Sequence, residues 1–114
     1  MIQIIRQRAT SAQMRQMLEA LGIYIKLAVD IERKILAGGG ELHADCEFVL
    51  LNDGGRQNDI WGADWYPIRQ AVGFESIINI RPSLNNHSMT IQAAGLQLEI
   101  DQIVQSLLGN VQWQ

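Results

Sequence analysis

A single cysteine, Cys46, excludes an internal disulfide, and with it the small disulfide-stapled extracellular domains. No uninterrupted apolar run approaches the ~20 residues needed to span a bilayer. The N-terminal MIQIIRQRATSAQ has no long apolar stretch of the signal-peptide kind. A reducing, cytoplasmic setting without a membrane partner is therefore expected. Basic residues are scattered, as at Arg6, Arg8, Arg15, Arg33 and Lys34, and the net charge is -3. That balance argues against a surface that neutralises phosphates, so nucleic acid is not an expected partner. Internal repeats, low-complexity tracts and Pro/Gly linkers are absent. So are the G-x-G-x-x-G, G-K-[ST] and H-E-x-x-H patterns and any serine in a nucleophile-elbow context, so no cofactor is indicated.

What the chain does have is enough apolar material for one core. It is 114 residues long, with 47% hydrophobic and 18% charged residues, and a domain of this size buries roughly two-thirds of its unfolded surface. Ile2, Ile4 and Ile5 suggest a short outer strand. Thr10-Ser11-Ala12-Gln13 has the form of a capping box, followed by Met14, Met17, Leu18 and Leu21 at helical spacing and a terminating Gly22. From about Ala93 the helical period returns: Leu96, Ile100, Ile103, Val104, Leu107 and Leu108 share a face, and Gly109 caps the end.

Between these helices the period is two. Ile23, Ile25, Leu27, Val29, Ile31 and Ile35 alternate with Tyr24, Lys26, Asp30, Glu32 and Lys34. Leu42, Ala44, Cys46, Phe48 and Leu50 alternate with Glu41, His43, Asp45 and Glu47. The pattern predicts one long hairpin over Val29–Leu51, turning at Gly38-Gly39-Gly40. Two registers fit: one sets Lys34 opposite Asp45, the other Lys34 opposite His43. Both place Asp30, Glu32, His43, Asp45 and Glu47 on one face. Asn52-Asp53-Gly54-Gly55 reads as a second turn, Gln57–Ala63 as a strand, 64–73 as a loop, and Phe74–Arg81 as a strand stopped by Pro82. The expected fold is α+β: an antiparallel meander of about four to six strands with two amphipathic helices, N-terminal and C-terminal, packed on one face.

The run ERKILAGGGELHADCE, followed by DGG and DIWGA, resembles a small bacterial family of unknown function with cyanobacterial members. The resemblance implies an uncharacterised bacterial protein; it brings no activity, cofactor or catalytic residue.

Candidate chemistry then rests on residue types. His43, Asp45 and Glu47, two apart on a strand, would stand ~6.8 Å from one another. With Asp30 or Glu32 from the facing strand they could ligate a divalent cation, and one imidazole among carboxylates suits Zn, Mn or Fe. Against this stands a solvated sheet face with exposed cross-strand pairs. Trp61, Trp65 and Tyr66, beside Asp59, Asp64 and Arg69, could floor a pocket or anchor a partner, or form a secondary core. Asn79 and Arg81 could clamp an anion, or Arg81 could pair with Glu75 or the acidic hairpin.

Cys46 is expected in the core and inert. Apolar residues on both faces near Val49 and Leu51, and no catalytic motif, favour a non-catalytic interaction or regulatory module that self-associates, as a homodimer. A metal- or small-molecule-binding protein, even a hydrolase, using the His-containing acidic face is the alternative. A small nuclease is disfavoured by the acidity.

Overall fold

The computed structural model describes residues 1–114. Strands β1 (Gln3–Ile5), β2 (Ile25–Asp30), β3 (Ile35–Gly40), β4 (Ile60–Tyr66) and β5 (Ala71–Gly73) form one sheet in the order β1-β3-β2-β4-β5. Every neighbouring pair is antiparallel. Three α-helices complete the fold: α1 (Ser11–Leu18), α2 (His43–Asn52) and α3 (Ala94–Leu108). The class is α+β as expected, but the sheet is not a pure meander. β1 and β2 run parallel with β3 between them, and β3 and β4 run parallel with β2 between them. Each parallel pair is joined through a helix, α1 and α2 respectively. Both crossovers move the same way across the sheet from opposite starting directions. A common hand therefore places their helices on opposite faces.

That is the observed layering. Ile25, Leu27, Val29, Leu36, Trp61, Ala63 and Trp65 meet α1 and α3 in a cluster of 19 buried residues. Ala28, Ile35, Ala37 and Ile60 meet Cys46 and Leu50 of α2 in a cluster of 6. The two terminal helices do share one face, with a third helix on the other. The capping box of α1 is present in both directions, Gln13 N to Thr10 Oγ1 at 3.1 Å and Thr10 N to Gln13 Oε1 at 2.9 Å. Met14, Met17 and Leu18 are buried as the stripe predicts. In α3, Ile100, Ile103, Val104, Leu107 and Leu108 are buried.

The expected Val29–Leu51 hairpin is corrected in three ways. Its turn lies at Ile31–Lys34, where Asp30 Oδ1 accepts the amides of Glu32 (3.1 Å) and Arg33 (3.0 Å) and Lys34 takes φ 57°. An aspartate side chain that organises its own turn can replace glycine there. The glycines instead lie inside β3, where there is no room for a side chain. A Cβ on Gly38 would meet Leu27 Cδ2 at 2.7 Å and Met17 Sδ at 3.1 Å, and Gly39, at φ 105°, lies against the Met1 carbonyl. Finally, residues 43–52 are helical. Cys46 and Leu50 are one turn apart and are the buried pair of α2, whereas Phe48, expected in the core, is 62% exposed. Alternation over a short stretch also satisfies part of a helical pattern, and β2 already has a neighbour on each edge.

Two further expectations change. β4 runs on through Asp64, Trp65 and Tyr66 and β5 takes Ala71–Gly73, so most of the expected loop is strand. Residues 74–81 are not a strand but a 3-10 turn at Ile77–Asn79, capped by the Ser76 hydroxyl. Asn79 acts as a one-residue strand: its Nδ2 donates to Gly62 O (3.0 Å) and its Oδ1 accepts Gly62 N (2.8 Å), closing the β4 edge beyond β5. This brings Ser76 and Ile78 over Gly62 beside α2, while Phe74, Leu84 and Ile91 pack into the α1/α3 cluster.

Candidate functional site

The acidic face dissolves once residues 43–52 form a helix. Asp30 is buried at the end of β2, Glu32 is exposed in the turn, and on α2 the exposed Asp45 points away from His43 and Glu47, which lie about one turn apart. A period of 3.6 separates side chains that a period of two would align. No group of three His, Cys, Asp or Glu side chains is close enough to hold a metal ion.

Asp30 belongs to a network that ties the fold. Its Oδ2 accepts Arg33 Nε at 2.7 Å, and Arg33 Nη1 reaches Asp53 Oδ2 (3.0 Å) and the Asp53 carbonyl (3.1 Å). Arg6 pairs with Asp53 at 2.6 Å. The Asp30 hydrogen bond raises the Arg33 pKa, and hydrogen bonds from Arg6 and then Arg33 lower that of Asp53. The cations sit at the C-terminal end of α2, where they complement its carbonyls.

Glu47 forms a second pair, with Arg81 Nη2 at 2.7 Å, and both side chains are about nine-tenths buried. Arg81 also donates to Gln57 O (2.7 Å) and lies 5.0 Å from the Trp61 ring centroid. Burial lowers the Arg81 pKa and Glu47 opposes this. Of the two partners foreseen for Arg81, the former hairpin acid is the one it takes; the anion clamp with Asn79 does not form, since Asn79 is spent on Gly62. Asp59 only approaches Arg56, at 4.0 Å. Trp61 and Trp65 are core residues, while Tyr66 points to the opposite face and stacks on Tyr24 at 5.4 Å.

His43 is different. It is the first residue of α2, and its Nε2 lies 2.8 Å from Asp64 Oδ1 and 3.1 Å from Ala63 O. Both partners accept, so Nε2 carries the proton and Nδ1 is left without a protein partner. His43 forms part of the wall of a cleft of about 400 Å³ between the start of α2 and residues 75–78. Leu42, Ala44, Ile77, Ile78 and Met89 supply its apolar lining, and Lys26, His43, Glu75 and Ser76 its polar groups. A second cleft of about 420 Å³ is bordered by Asp64, Tyr66, Arg69 and Thr90, and Glu75 lines both. Burial, then Asp64, raises the Tyr66 pKa.

A family model for proteins of unknown function, DUF5674, matches residues 3–107. The chain belongs to DUF5674. The match spans every strand and nearly all of α3, so this DUF5674 domain has no separable piece that carries the cleft. No curated protein and no solved structure matches it. No activity is known for DUF5674, and no helix here is long and apolar enough to cross a membrane.

Chemically, an imidazole held by a carboxylate can accept a proton or a hydrogen bond through its free nitrogen. No serine or cysteine hydrogen-bonds to His43. Ser76 Oγ accepts Ile78 N, and Cys46 is buried, with a thiol pKa pushed up to about 11 by desolvation. Of the five residues first proposed as ligands, only His43 reaches the cleft wall. Asp64 and Arg69 were expected only beside the tryptophan cluster, and neither Lys26 nor Glu75 was expected at a cleft. Asp64 alternates with Ala63 and Trp65, so extending the strand past Ala63 would have placed it opposite the tryptophans.

Proposed function

We infer that this DUF5674 domain is a non-catalytic binding module whose recognition site is the cleft between α2 and residues 75–78. The observation that carries this reading is His43, locked by Asp64 at the wall of a concave, mostly apolar surface. A few fixed polar groups in an apolar cleft are the usual make-up of a small-molecule site. The lack of a hydrogen-bonded nucleophile and of any metal-sized ligand cluster supports binding over hydrolysis. The reading is tested with a neutral branched probe, isobutyramide, titrated into isotope-labelled protein. The expected result is that amide resonances of Leu42, Ala44, Ile77, Ile78 and Met89 move together and that Ile78→Asp abolishes the response. Shifts confined to other surfaces, or none at millimolar probe, overturn it.

A second reading is self-association, favoured by Phe48, 62% exposed on the outer side of α2, and by Ile80, 46% exposed on the segment facing α2. Single exposed apolar side chains are ordinary, but Leu42, 58% exposed, and Ile77, 72% exposed, on the apolar cleft add to these two. Sedimentation velocity at high protein concentration decides it: a dimer dispersed by Phe48→Asp supports the reading, and a monomer at all concentrations ends it.

A further inference from the structure

Resting on the binding-cleft reading, we propose that the ligand is a free α-amino acid with an aliphatic or thioether side chain. Arg69 and Glu75 line the same cleft and carry opposite charges. Neither makes an ion pair, with the other or with any group of the protein. Both are nevertheless held by neighbours that leave the charge unanswered. Arg69 lies over the Tyr66 ring, 4.5 Å from its centroid, and Tyr66 is itself stacked on Tyr24. Glu75 accepts a hydrogen bond from the Thr90 hydroxyl at 3.3 Å. A guanidinium stacked on an aromatic face keeps its planar fork of donors available for a carboxylate.

A ligand with only a carboxylate would meet Arg69 but also the anions of Glu75 and Asp64. A ligand with only an amine would meet Glu75 but also Arg69. A zwitterion answers both, its carboxylate on Arg69 and its ammonium on Glu75. Glu75 also lines the apolar cleft, so the proposal sets the side chain of such a ligand toward Ile77, Ile78 and Met89. Ile77, Ile78 and Met89 favour an aliphatic or thioether side chain there, and Lys26, the one lysine or arginine on that wall, already donates to Glu41 O at 3.0 Å.

The test compares three probes on labelled protein: leucine, 3-methylbutylamine (leucine without its carboxylate) and 4-methylpentanoate (leucine without its amine). Leucine is expected to shift amides across residues 69–78 and to bind at least about tenfold more tightly than either fragment, the usual effect of one charged hydrogen bond. Arg69→Met should weaken leucine about tenfold and tighten 3-methylbutylamine, from which it removes a like charge. Glu75→Gln should weaken leucine and tighten 4-methylpentanoate for the same reason. Both positions are exposed, and unchanged melting temperatures confirm intact folds. If either fragment binds the cleft as tightly as leucine, the ligand class is wrong while the cleft reading stands. If isobutyramide shifts the cleft amides and leucine does not, the proposal is overturned alone; if neither does, both readings fall.

Discussion

The two faces of the sheet are built on different terms. The α1/α3 face is a thick apolar core: 19 buried residues, with two tryptophans and two methionines. The α2 face has a core of 6. Around that small cluster it carries the Asp30–Arg33–Asp53–Arg6 network, the Glu47–Arg81 pair, the His43–Asp64 pair and both clefts. Burial alone secures the first face, and each side chain there has only to be apolar and of the right size. The second is held by charges that must find partners, and it leaves concave surface where α2 and residues 75–78 fail to close. Stability is concentrated on one face, which frees the other for recognition.

The largest expected difference is at Trp65, fully buried between β4 and the terminal helices. Trp65→Ala should cost ~3–5 kcal/mol in urea unfolding, as large aromatic truncations in cores do. Trp65→Phe should recover much of that, because the indole N–H has no acceptor to lose. A loss under about 1 kcal/mol for the alanine variant would mean that the thick face is not the stabilising one.

Next comes Asp30→Ala on the α2 face, which strips Arg33 of its carboxylate and the Ile31–Lys34 turn of the oxygen that accepts two of its amides. With Arg33 still partly solvated, a cost of about 2–3 kcal/mol is expected. A neutral result would show the network to be ornamental.

The smallest effect is a dependence on acid. The folded state holds Asp53 below the usual carboxylate range through Arg6 and Arg33. Its contribution is therefore fully present above the unfolded pKa of about 3.9 and is lost as pH falls through the lower folded value. Urea midpoints should fall from pH 5 toward pH 3, and Asp53→Asn should flatten that fall. An unchanged slope in the variant would place the acid sensitivity elsewhere.

Legibility followed the same division. The apolar stripes at Met14–Leu18 and Ile100–Leu108, the Thr10 box and the alternation of Ile25, Leu27 and Val29 all gave the thick face correctly, because periodic burial against a large core is a local signal. The α2 face was misread. Alternation at Leu42–Leu50 was compatible with a strand, and nothing local says that the partner edge is already taken. The glycines at 38–40 looked like a turn, since both a turn and a close helix–strand approach exclude a side chain. Asp64 and Glu75 lay in stretches given the wrong element, and their relation to His43 spans more than 20 residues of chain.

The sequence by itself determined an antiparallel α+β domain with its two terminal helices on one side, and also which aliphatic residues lie on that side, because side-chain period and capping chemistry act over a few residues. Only the tertiary structure decided that residues 43–52 coil rather than extend and that Asp30 makes the turn. It also decided that His43 meets Asp64 while Arg69 and Glu75 stay unpaired in a shared cleft. Those outcomes depend on which strand edges are occupied and which charges find partners, and both are properties of the assembled sheet.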